Sequence, residues 1–440
     1  MLTGNPPYTG GLAEVRHRII NDRSLTPPSN ICPEITSEVD GAVLQALSRS
    51  KSSRYPDISR LGETLNTLRT DDHISKGKEY IPQEDSTWPL FQGDPTRSGL
   101  CNVSGPIGNV SSCWRYDVQN RIVHQPVLSD GSIFVGDSDG TVHAISVNTG
   151  EEHWIYDTST GGSGFNHIVS SPGISNSQVY IGNANTRFFA LNLESGNMEW
   201  VKDFRIVSSP LIADRSLYIT TEDNRILSMN QTSGEIEWGV EIDRTGRSIA
   251  YHRNTVYVGS GYDALEPQST GAIYAVNSKT GEVLWKQTTK RTISKLMFLN
   301  GGIFAGSTDS SVYRFDADNG DIQWQLETDD VVHSAPAITK GTVFVGSRDN
   351  HVYAIDCKKG EIQWQFETDG WIQSPIVTDG EIVYVGSMDN KVYALRATDG
   401  RLHWKYDTGA AVNQCIVITD QSLIVGNTDG ELYAISDKNQ

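Results

Sequence analysis

Positively charged or titratable side chains recur at one position in five consecutive segments of the chain. They lie five residues before a proline, or at about the corresponding offset, at Arg121, His167, Arg205, Arg244 and Lys290-Arg291. The corresponding positions in the next three segments are Val331, Gly370 and Ala410. Guanidinium forks suit carboxylate and phosphate groups. If the fold brings these side chains together, they predict an anion-attracting crescent for a carboxylate, a phosphate or an acidic peptide. The alternative is that each is paired with an acidic neighbour.

Two further candidates accompany this crescent. Trp371 lies outside the regular series of tryptophans and is expected on the same rim, either as an aromatic anchor for a partner or as packing. Aspartates recur in short turns, but none lies in the dense alternating Asp/Asn loop that calcium requires. We therefore predict ligand-binding residues Arg121, His167, Arg205, Arg244, Arg291 and Trp371, with no metal site and no catalytic residue.

Composition and charge narrow the class of partner. The formal net charge of −18 argues against general binding to nucleic acid or anionic membranes. No apolar run approaches the roughly 18 residues of a membrane span, and no secretion signal is present at the N-terminus. The five cysteines include no C-x-x-C pair, which predicts reduced thiols in a cytoplasmic protein. The acidity would also suit a salt-loving cytoplasm.

Internal repetition predicts the elements that position these residues. Eight tryptophans recur every 38 to 47 residues, and all but the first follow a glycine by four positions. They are Trp114, Trp154, Trp200, Trp238, Trp285, Trp324, Trp364 and Trp404. Before each glycine come two alternating apolar stretches, such as "TVFVGSR" and "HVYAIDCK", separated by Asp-Gly or Asp-Asn. This is the signature of a β-hairpin. Each unit therefore predicts a four-stranded propeller blade, with the tryptophans as structural wedges between blades.

The last unit predicts how the ring closes. It supplies three strands and ends before its tryptophan, whereas Trp114 in "SSCWRYDV" is the tryptophan without a preceding glycine. Residues 112–118 are therefore expected to be the outermost strand of the last blade, which would remove an open sheet edge. The fold class predicted is mainly β, an eight-bladed β-propeller closed by the N-terminal strand 112–118 and preceded by a small α-helical segment.

The repeat resembles a known family. Ala354-x-Asp356 followed by Gly360-x-x-x-Trp364 is similar to the tryptophan-docking motif of the pyrroloquinoline-quinone (PQQ)-type propellers, and "WPLFQGDPTRSG" resembles the segment that leads into them. The resemblance covers about 88–440. It implies either a quinoprotein dehydrogenase or a non-enzymatic propeller such as the outer-membrane assembly lipoprotein. The chain lacks the adjacent cysteine pair and the export signal of the dehydrogenases. No cofactor is therefore expected, PQQ included.

The N-terminal residues resemble something else. "LTGNPPYTG" and "ALSRSKSSRYPDISRL" are similar, in this order, to the C-terminal end of a bacterial-type Ser/Thr protein kinase domain. The Gly-rich loop, the Lys–Glu pair and the catalytic and metal-binding aspartates of a kinase would all precede Met1. We predict a helical kinase remnant over 1–70, a polar linker over 71–87 and the propeller over 88–440. ATP is expected only if a kinase lobe lies upstream.

Two classes of function follow from these observations. The first is a non-enzymatic interaction or sensor module of a kinase-associated signalling protein, which binds a partner protein or a small anionic ligand on its loop face. The second is an enzyme, either a Ser/Thr kinase whose catalytic motifs lie upstream of Met1 or a PQQ-dependent quinoprotein. The two insertions 158–167 and 261–271 fall on the face that we predict to bind, because binding residues favour long loops on a rigid scaffold.

Overall fold

A computed structural model describes residues 88–438 of the chain, apart from residues 123, 160–165, 245, 262–269 and 421. The kinase-like helices predicted over 1–70 and the linker predicted over 71–87 lie outside the described residues, as do most of the two loop insertions. Every regular element in the described part is a β-strand. No helix that could cross a membrane occurs in this part of the chain.

Eight antiparallel sheets of four strands each form the blades of a propeller, which confirms the predicted eight-bladed architecture. The first strand in the chain, β1 (Val110–Asp117), belongs to the last blade. Blades one to four consist of β2 (Val127–Ser129), β3 (Ser132–Gly136), β4 (Thr141–Ser146), β5 (Glu152–Asp157), β6 (Gly173–Ser175), β7 (Gln178–Asn183), β8 (Arg187–Asn192), β9 (Met198–Lys202), β10 (Leu211–Ala213), β11 (Ser216–Thr220), β12 (Arg225–Asn230), β13 (Ile236–Glu241), β14 (Gly246–His252), β15 (Thr255–Ser260), β16 (Gly271–Asn277) and β17 (Val283–Thr289).

The second half of the ring repeats this plan. Blades five to eight consist of β18 (Ile293–Leu299), β19 (Gly302–Ser307), β20 (Ser311–Asp316), β21 (Ile322–Glu327), β22 (Ala337–Thr339), β23 (Thr342–Gly346), β24 (His351–Asp356), β25 (Ile362–Glu367), β26 (Val377–Thr378), β27 (Ile382–Gly386), β28 (Lys391–Arg396), β29 (Leu402–Asp407), β30 (Cys415–Thr419), β31 (Ser422–Gly426) and β32 (Glu431–Asp437), with β1. In blades one to seven the first strand is innermost, in the last blade β30 is, and the middle strands of all eight are almost completely buried. The core therefore lies between blades.

Turn residues follow the chemistry that the sequence predicts. The last residue of the turn between the two middle strands has a positive φ in seven blades, at Gly140, Thr186, Asn224, Ser310, Asn350, Asn390 and Gly430. Glycine and asparagine adopt this left-handed conformation more readily than other residues. The turns thus fix the register of the two buried strands in these blades.

Each repeat tryptophan joins its blade to the next one. In seven of the eight, the indole N–H donates to a backbone carbonyl that follows the third strand of the neighbouring blade, as Trp324 Nε1 does to Cys357 O at 3.1 Å. The glycine of the motif serves this contact. A Cβ on Gly360 would lie 2.7 Å from the ring of Trp324, in the preceding blade, and Gly360 has a φ of +72°. The glycine of one unit therefore accommodates the tryptophan of the unit before it.

Strand β1 completes the last blade by antiparallel pairing with β32, with Trp114 opposite Ala434 and Asp117 opposite Glu431. Trp114 Nε1 then donates to Val147 O of blade one at 2.8 Å. At the preceding junction, Trp404 Nε1 donates to Pro106 O, also at 2.8 Å. The stretch before β1 thus supplies the acceptor that a complete repeat supplies elsewhere.

Residues 88–101 form a plug across the innermost strands. Arg97 donates to the carbonyl of Pro210 in blade three at 3.0 Å. Backbone hydrogen bonds join the plug to six other blades, through Leu128, Ile174, Tyr251, Phe298, Ile338 and Thr378. These six partners lie within the innermost strands or near their C-terminal ends. The candidate rim residues Arg121 and His167 instead lie before the N-terminal ends of the innermost strands of blades one and two. The plug therefore closes the central channel at the end opposite the candidate rim.

Candidate functional site

The rim of the open channel end is built from a repeated backbone hydrogen bond. In seven blades, a residue that precedes the innermost strand accepts a bond from an N–H just beyond the second strand. The acceptors are the carbonyls of Arg121, His167, Arg205, Thr292, Val331, Trp371 and Ala411. Trp371 thus occupies the same position of the repeat as Arg121.

The predicted equivalence among the rim positions is wrong in part. Arg291, Gly370 and Ala410 are one residue earlier in the repeat, where their carbonyls accept from the hydroxyls of Thr289, Thr368 and Thr408 at 2.7 Å. The predicted set therefore mixes two adjacent positions. Loops of unequal length separate the outer strand from the next innermost strand, so that an offset counted from proline does not identify the position uniquely.

The rim arginines differ in their partners. Arg205 Nη1 donates to Glu222 Oε1 at 2.9 Å, and both side chains are partly exposed, so this ion pair is weak. The side chains of Arg121, Arg244 and Arg291 have no carboxylate partner among the residues that the structure describes. Arg121 is exposed, whereas Arg244 and Arg291 are half-buried. Among the described residues, Arg205 therefore has an acidic partner of its own, whereas Arg121, Arg244 and Arg291 have none.

Trp371 is 48% exposed, so the alternative of buried packing does not describe it. The guanidinium of Arg348 lies over its ring, with Cζ 5.3 Å from the ring centroid. Arg348 Nη2 also donates to Gln373 Oε1 at 3.0 Å, which holds the guanidinium in place. An arginine stacked on an aromatic ring keeps its in-plane N–H groups available to an anion. Trp371 and Arg348 together form an aromatic and cationic platform on the rim.

Basic side chains from different blades act on one another electrostatically across the ring. His124 of blade one is close enough to Lys295 of blade five and to His167 of blade two for their charges to act on it. Burial, reinforced by these two positive groups, lowers the pKa of His124 to about 3. His124 is therefore a neutral imidazole at pH 7.

Lys295 lies at the floor of this region. Its Nζ is 4.9 Å from the centroid of the Phe91 ring in the plug. Burial, together with the positive charges of Arg247 and Arg97, lowers the pKa of Lys295 to about 8. Arg97 is itself almost completely buried, at 2% exposure. The floor and walls of the channel therefore concentrate positive charge in a protein of net charge −18.

Sequence reasoning missed the channel residues, although a signal was present. His124 lies two residues before Pro126, where other repeats have Ser170, Ser208 and Ser334. The hydroxyl oxygens of these serines accept from backbone N–H groups of the second strand, for example Ser334 from Gly346 N at 2.7 Å. A histidine in place of a structural serine is a departure from the repeat. Lys295 gives no comparable signal.

The described residues do not fit a quinone with its metal ion. No three described His, Cys, Asp or Glu side chains come together as a metal site. Cys101, Cys113, Cys357 and Cys415 are free thiols, and none of them is adjacent to another in the sequence. A separate cavity of about 550 Å³ lies between blades three and four, with Asp214, Glu237 and Lys279 in its wall. It is not part of the channel and contains none of the candidate residues.

The fold and the inter-blade contacts define a tryptophan-docked, eight-bladed propeller. The family described as outer membrane protein assembly factor BamB matches residues 111–166, 158–240, 225–365 and 309–439, so the chain belongs to this family. No match was found among curated protein sequences.

Solved structures share the architecture. BamB from Moraxella catarrhalis is 19% identical, with a TM-score of 0.61 over 75% of this chain and 98% of that one. Quinohemoprotein alcohol dehydrogenase from Comamonas testosteroni is 15% identical, with a TM-score of 0.68 over 80% of each chain. The computationally designed Ika8 protein is 14% identical, with a TM-score of 0.63 over 76% of this chain and 100% of that one. Likenesses at this identity define the fold and not the activity.

Proposed function

We propose that the chain is a non-enzymatic binding module whose rim takes an acidic segment of a partner protein. The observation that carries this proposal is the set of three rim arginines, Arg121, Arg244 and Arg291, without described carboxylate partners on a strongly acidic protein. An exposed aromatic side chain beside arginine is typical of the anchors that dominate protein interfaces. The Trp371–Arg348 platform supplies such an anchor.

The family supports a protein partner more than a substrate. Its description is that of an assembly factor. The resemblance of residues 1–68 to the end of a kinase domain further suggests that the module serves a kinase-associated signalling protein in the cytoplasm. The alternatives are a Ser/Thr kinase with catalytic motifs upstream of Met1, which would bind ATP, and a PQQ-dependent quinoprotein. An in-frame upstream extension with kinase motifs would support the first alternative. Dye reduction after addition of PQQ and Ca²⁺ would support the second.

We include the closing strand in this proposal, since a binding rim requires a rigid ring. The pairing of β1 with β32 joins residues 110–117 to 431–437 and leaves the last blade with four strands. Closure of this kind holds the rim positions of blades one and eight at a fixed separation. The truncations described in the Discussion test it.

The rim is tested with a fluorescein-labelled poly-glutamate peptide, whose binding to the whole chain is measured by fluorescence anisotropy. The double variant Arg121→Ala, Arg244→Ala should bind at least about tenfold more weakly, which corresponds to about 1.4 kcal/mol. The difference should shrink at high salt, because exposed charges are screened over about 10 Å at 0.1 M. The matched control is Lys358→Ala, Lys359→Ala, which removes two exposed cations near the tip of blade six.

Equal loss of affinity in the rim variant and the control would show that the peptide binds by nonspecific charge attraction, which would contradict the proposal. Unchanged affinity in the rim variant would contradict the proposal. The variant Trp371→Ala supplies a second measurement that does not alter charge. It should weaken binding at both low and high salt, since the contact of an aromatic ring is not screened.

A further inference from the structure

A cavity of about 550 Å³ opens between blades three and four, and none of the candidate rim residues lines it. From blade three it is lined by Tyr218, Trp238, Asp214 and Glu237. From blade four it is lined by the turn between β16 and β17, which contains Lys279. Aromatic rings with a few polar groups, in a cavity of about 300–1,000 Å³, are typical of small-molecule sites. The cavity therefore has the size and the lining of such a site.

Blade three departs from the repeat at a residue that holds Glu237. The position opposite the repeat tryptophan is alanine in six blades, whereas in blade three it is Ser228, which pairs with Trp238. Ser228 is completely buried, and its hydroxyl donates to Glu237 Oε2 at 2.8 Å. Ser216 Oγ donates to the same oxygen at 3.0 Å. Since six blades pack with alanine at this position, the Ser228 hydroxyl is not needed for packing, and we assign to it the orientation of the carboxylate.

Asp214 is held from the neighbouring blade. The hydroxyl of Tyr251, a buried residue of β14 in blade four, donates to Asp214 Oδ2. The Tyr251 ring stacks on that of Tyr218, with the ring centroids 6.0 Å apart and an interplanar angle of 13°. The backbone N–H of Asn254 donates to the Tyr251 hydroxyl oxygen at 3.0 Å. Tyr251 is therefore fixed by its own contacts and holds Asp214 at the junction of the two blades.

Each of the two carboxylates keeps one oxygen for an external donor. Glu237 Oε1 and Asp214 Oδ1 accept no hydrogen bond from the residues that the structure describes, and neither carboxylate forms an ion pair with them. Ser216, which donates to Glu237, is two residues from Asp214, and two residues span at most about 7 Å. The two carboxylates therefore lie at the same end of the cavity.

The opposite wall supplies one positive charge. Lys279 is exposed, and its ammonium has no carboxylate partner in the described part of the chain. The cavity thus presents two negative groups from blade three and one positive group from blade four, beside two aromatic rings. A complementary ligand has two cationic groups, one anionic group and an apolar chain between them.

We propose that this cavity binds a free basic amino acid of the lysine type. The two ammonium groups of the ligand match Asp214 and Glu237, and its carboxylate matches Lys279, in charge-assisted hydrogen bonds. Its methylene chain lies against the rings of Tyr218 and Trp238, whose faces also attract a cation. This site goes beyond the proposed rim function and does not depend on it.

The test is isothermal titration calorimetry of the whole chain with L-lysine at pH 7 and low ionic strength. Glu237→Gln keeps the shape of the side chain and removes its charge, so it should weaken binding at least about tenfold. Ser228→Ala restores the alanine of the other blades, so it should weaken binding and leave Tm nearly unchanged. The matched control is Glu199→Gln, which changes the residue before the repeat tryptophan of blade two and should bind L-lysine like the native protein.

Analogues of lysine test each part of the match. Norleucine lacks the side-chain ammonium and should bind at least about tenfold more weakly than L-lysine. The diamine 1,5-diaminopentane lacks the carboxylate, so Lys279→Met should weaken the binding of L-lysine and not that of the diamine. Equal affinity for L-lysine and Nα-acetyl-L-lysine would contradict recognition of a free amino acid.

The outcomes separate this site from the rim and from general attraction of cations to an acidic protein. Weaker L-lysine binding in Glu237→Gln with unchanged poly-glutamate binding supports the site and shows that the variant is folded. An equal loss of affinity in Glu199→Gln would show that L-lysine binds nonspecifically to acidic surface, which overturns the proposal. Absence of L-lysine binding to the native protein, or equal binding to Glu237→Gln, also overturns it.

Discussion

The guanidinium of Arg97 donates a hydrogen bond of 3.0 Å from Nε to the carbonyl of Ile249, which lies 152 residues further along the chain. The same side chain donates to Phe91 O at 2.5 Å and to Pro210 O at 3.0 Å. One buried residue of the plug thus joins blades three and four and holds the plug's own backbone. Burial lowers the pKa of Arg97 to about 9, against the opposing effect of Asp94, so Arg97 stays protonated at pH 7.

Replacement of Arg97 by methionine should therefore destabilise the protein by about 3 kcal/mol or more. Three buried carbonyls would lose their donor, and an unsatisfied buried polar group costs about 1–3 kcal/mol. Urea unfolding measures the change. Arg215→Met is a matched control, because Arg215 is exposed and has a φ of +68°, close to the +63° of Arg97. Equal stability of the two variants would show that the plug is not held by this side chain.

Stepwise truncation separates the contributions of the plug and the closing strand. Deletion of residues 1–87 should leave a cooperatively folding propeller, because the described contacts of the ring begin at Trp88. Deletion of 1–102 removes the plug and should lower Tm. Deletion of 1–118 also removes β1 and the partly buried Trp114. It should abolish cooperative unfolding, because the last blade loses its outer strand and the loss of a fully buried aromatic side chain alone costs about 3–5 kcal/mol.

Thermal unfolding by circular dichroism ranks the three truncated proteins. Identical melting temperatures after deletion of 1–87 and of 1–118 would contradict the pairing of β1 with β32. Identical temperatures after deletion of 1–87 and of 1–102 would instead show that the ring does not depend on its plug.

The glycine of the repeat motif should not tolerate substitution, because it packs against the tryptophan of the preceding blade. Gly360→Ala would place a Cβ 2.7 Å from Trp324 Cγ at a φ of +72°. We expect a loss of about 2–4 kcal/mol, since overpacking costs about 1–3 kcal/mol and the left-handed backbone about 1 more. Gly341→Ala is the control, because its φ is +82° but its nearest neighbour is Cys357 Sγ at 4.0 Å. A loss as small as that in the control would contradict tight docking of Trp324.

The repeat pattern predicts the eight blades because each blade follows from local alternation and from Asp-Gly or Asp-Asn turns. Those turns adopt positive φ as expected, for example at Asn350 and Asn390. The plug could not be predicted in this way. Gln92 donates from Nε2 to Pro336 O and Ile376 O, 244 and 284 residues away, and backbone carbonyls carry no side-chain signature in the sequence.

The candidate site was predicted less completely than the fold. The sequence does not show that Arg121 and Trp371 occupy the same position of the repeat, because the basic residues are distributed over two adjacent positions. Arg348 lies 23 residues before Trp371 in the sequence, so no local pattern indicates that its guanidinium lies over the Trp371 ring. His124 and Lys295 approach each other only once the ring is closed, so no spacing along the chain links them.

Lys295 should destabilise the native fold at neutral pH, and its removal should show a characteristic pH dependence. Burial is the main cause that lowers its pKa from 10.5 to about 8, and Arg247 and Arg97 add to the effect. Between these two values the unfolded chain holds a proton that the folded protein has released, so stability rises with pH across that window. Below about pH 8 both states are protonated, and the full penalty of the enclosed charge applies.

Lys295→Met should therefore raise the Tm at pH 7 by about 2 °C or more, and this advantage should shrink as the pH rises from about 8 toward 10.5. The groups around the ammonium are Arg247 of β14, Arg97 and Phe91 of the plug, and His124 of blade one. Lys286→Met provides the opposite case, because a hydrogen bond to Asp243 raises the pKa of Lys286. Its removal should leave Tm unchanged or slightly lower at pH 7. A Tm of Lys295→Met below that of the native protein in phosphate-free buffer would show that Lys295 is stabilised by partners of its own, and that the channel does not enclose uncompensated positive charge.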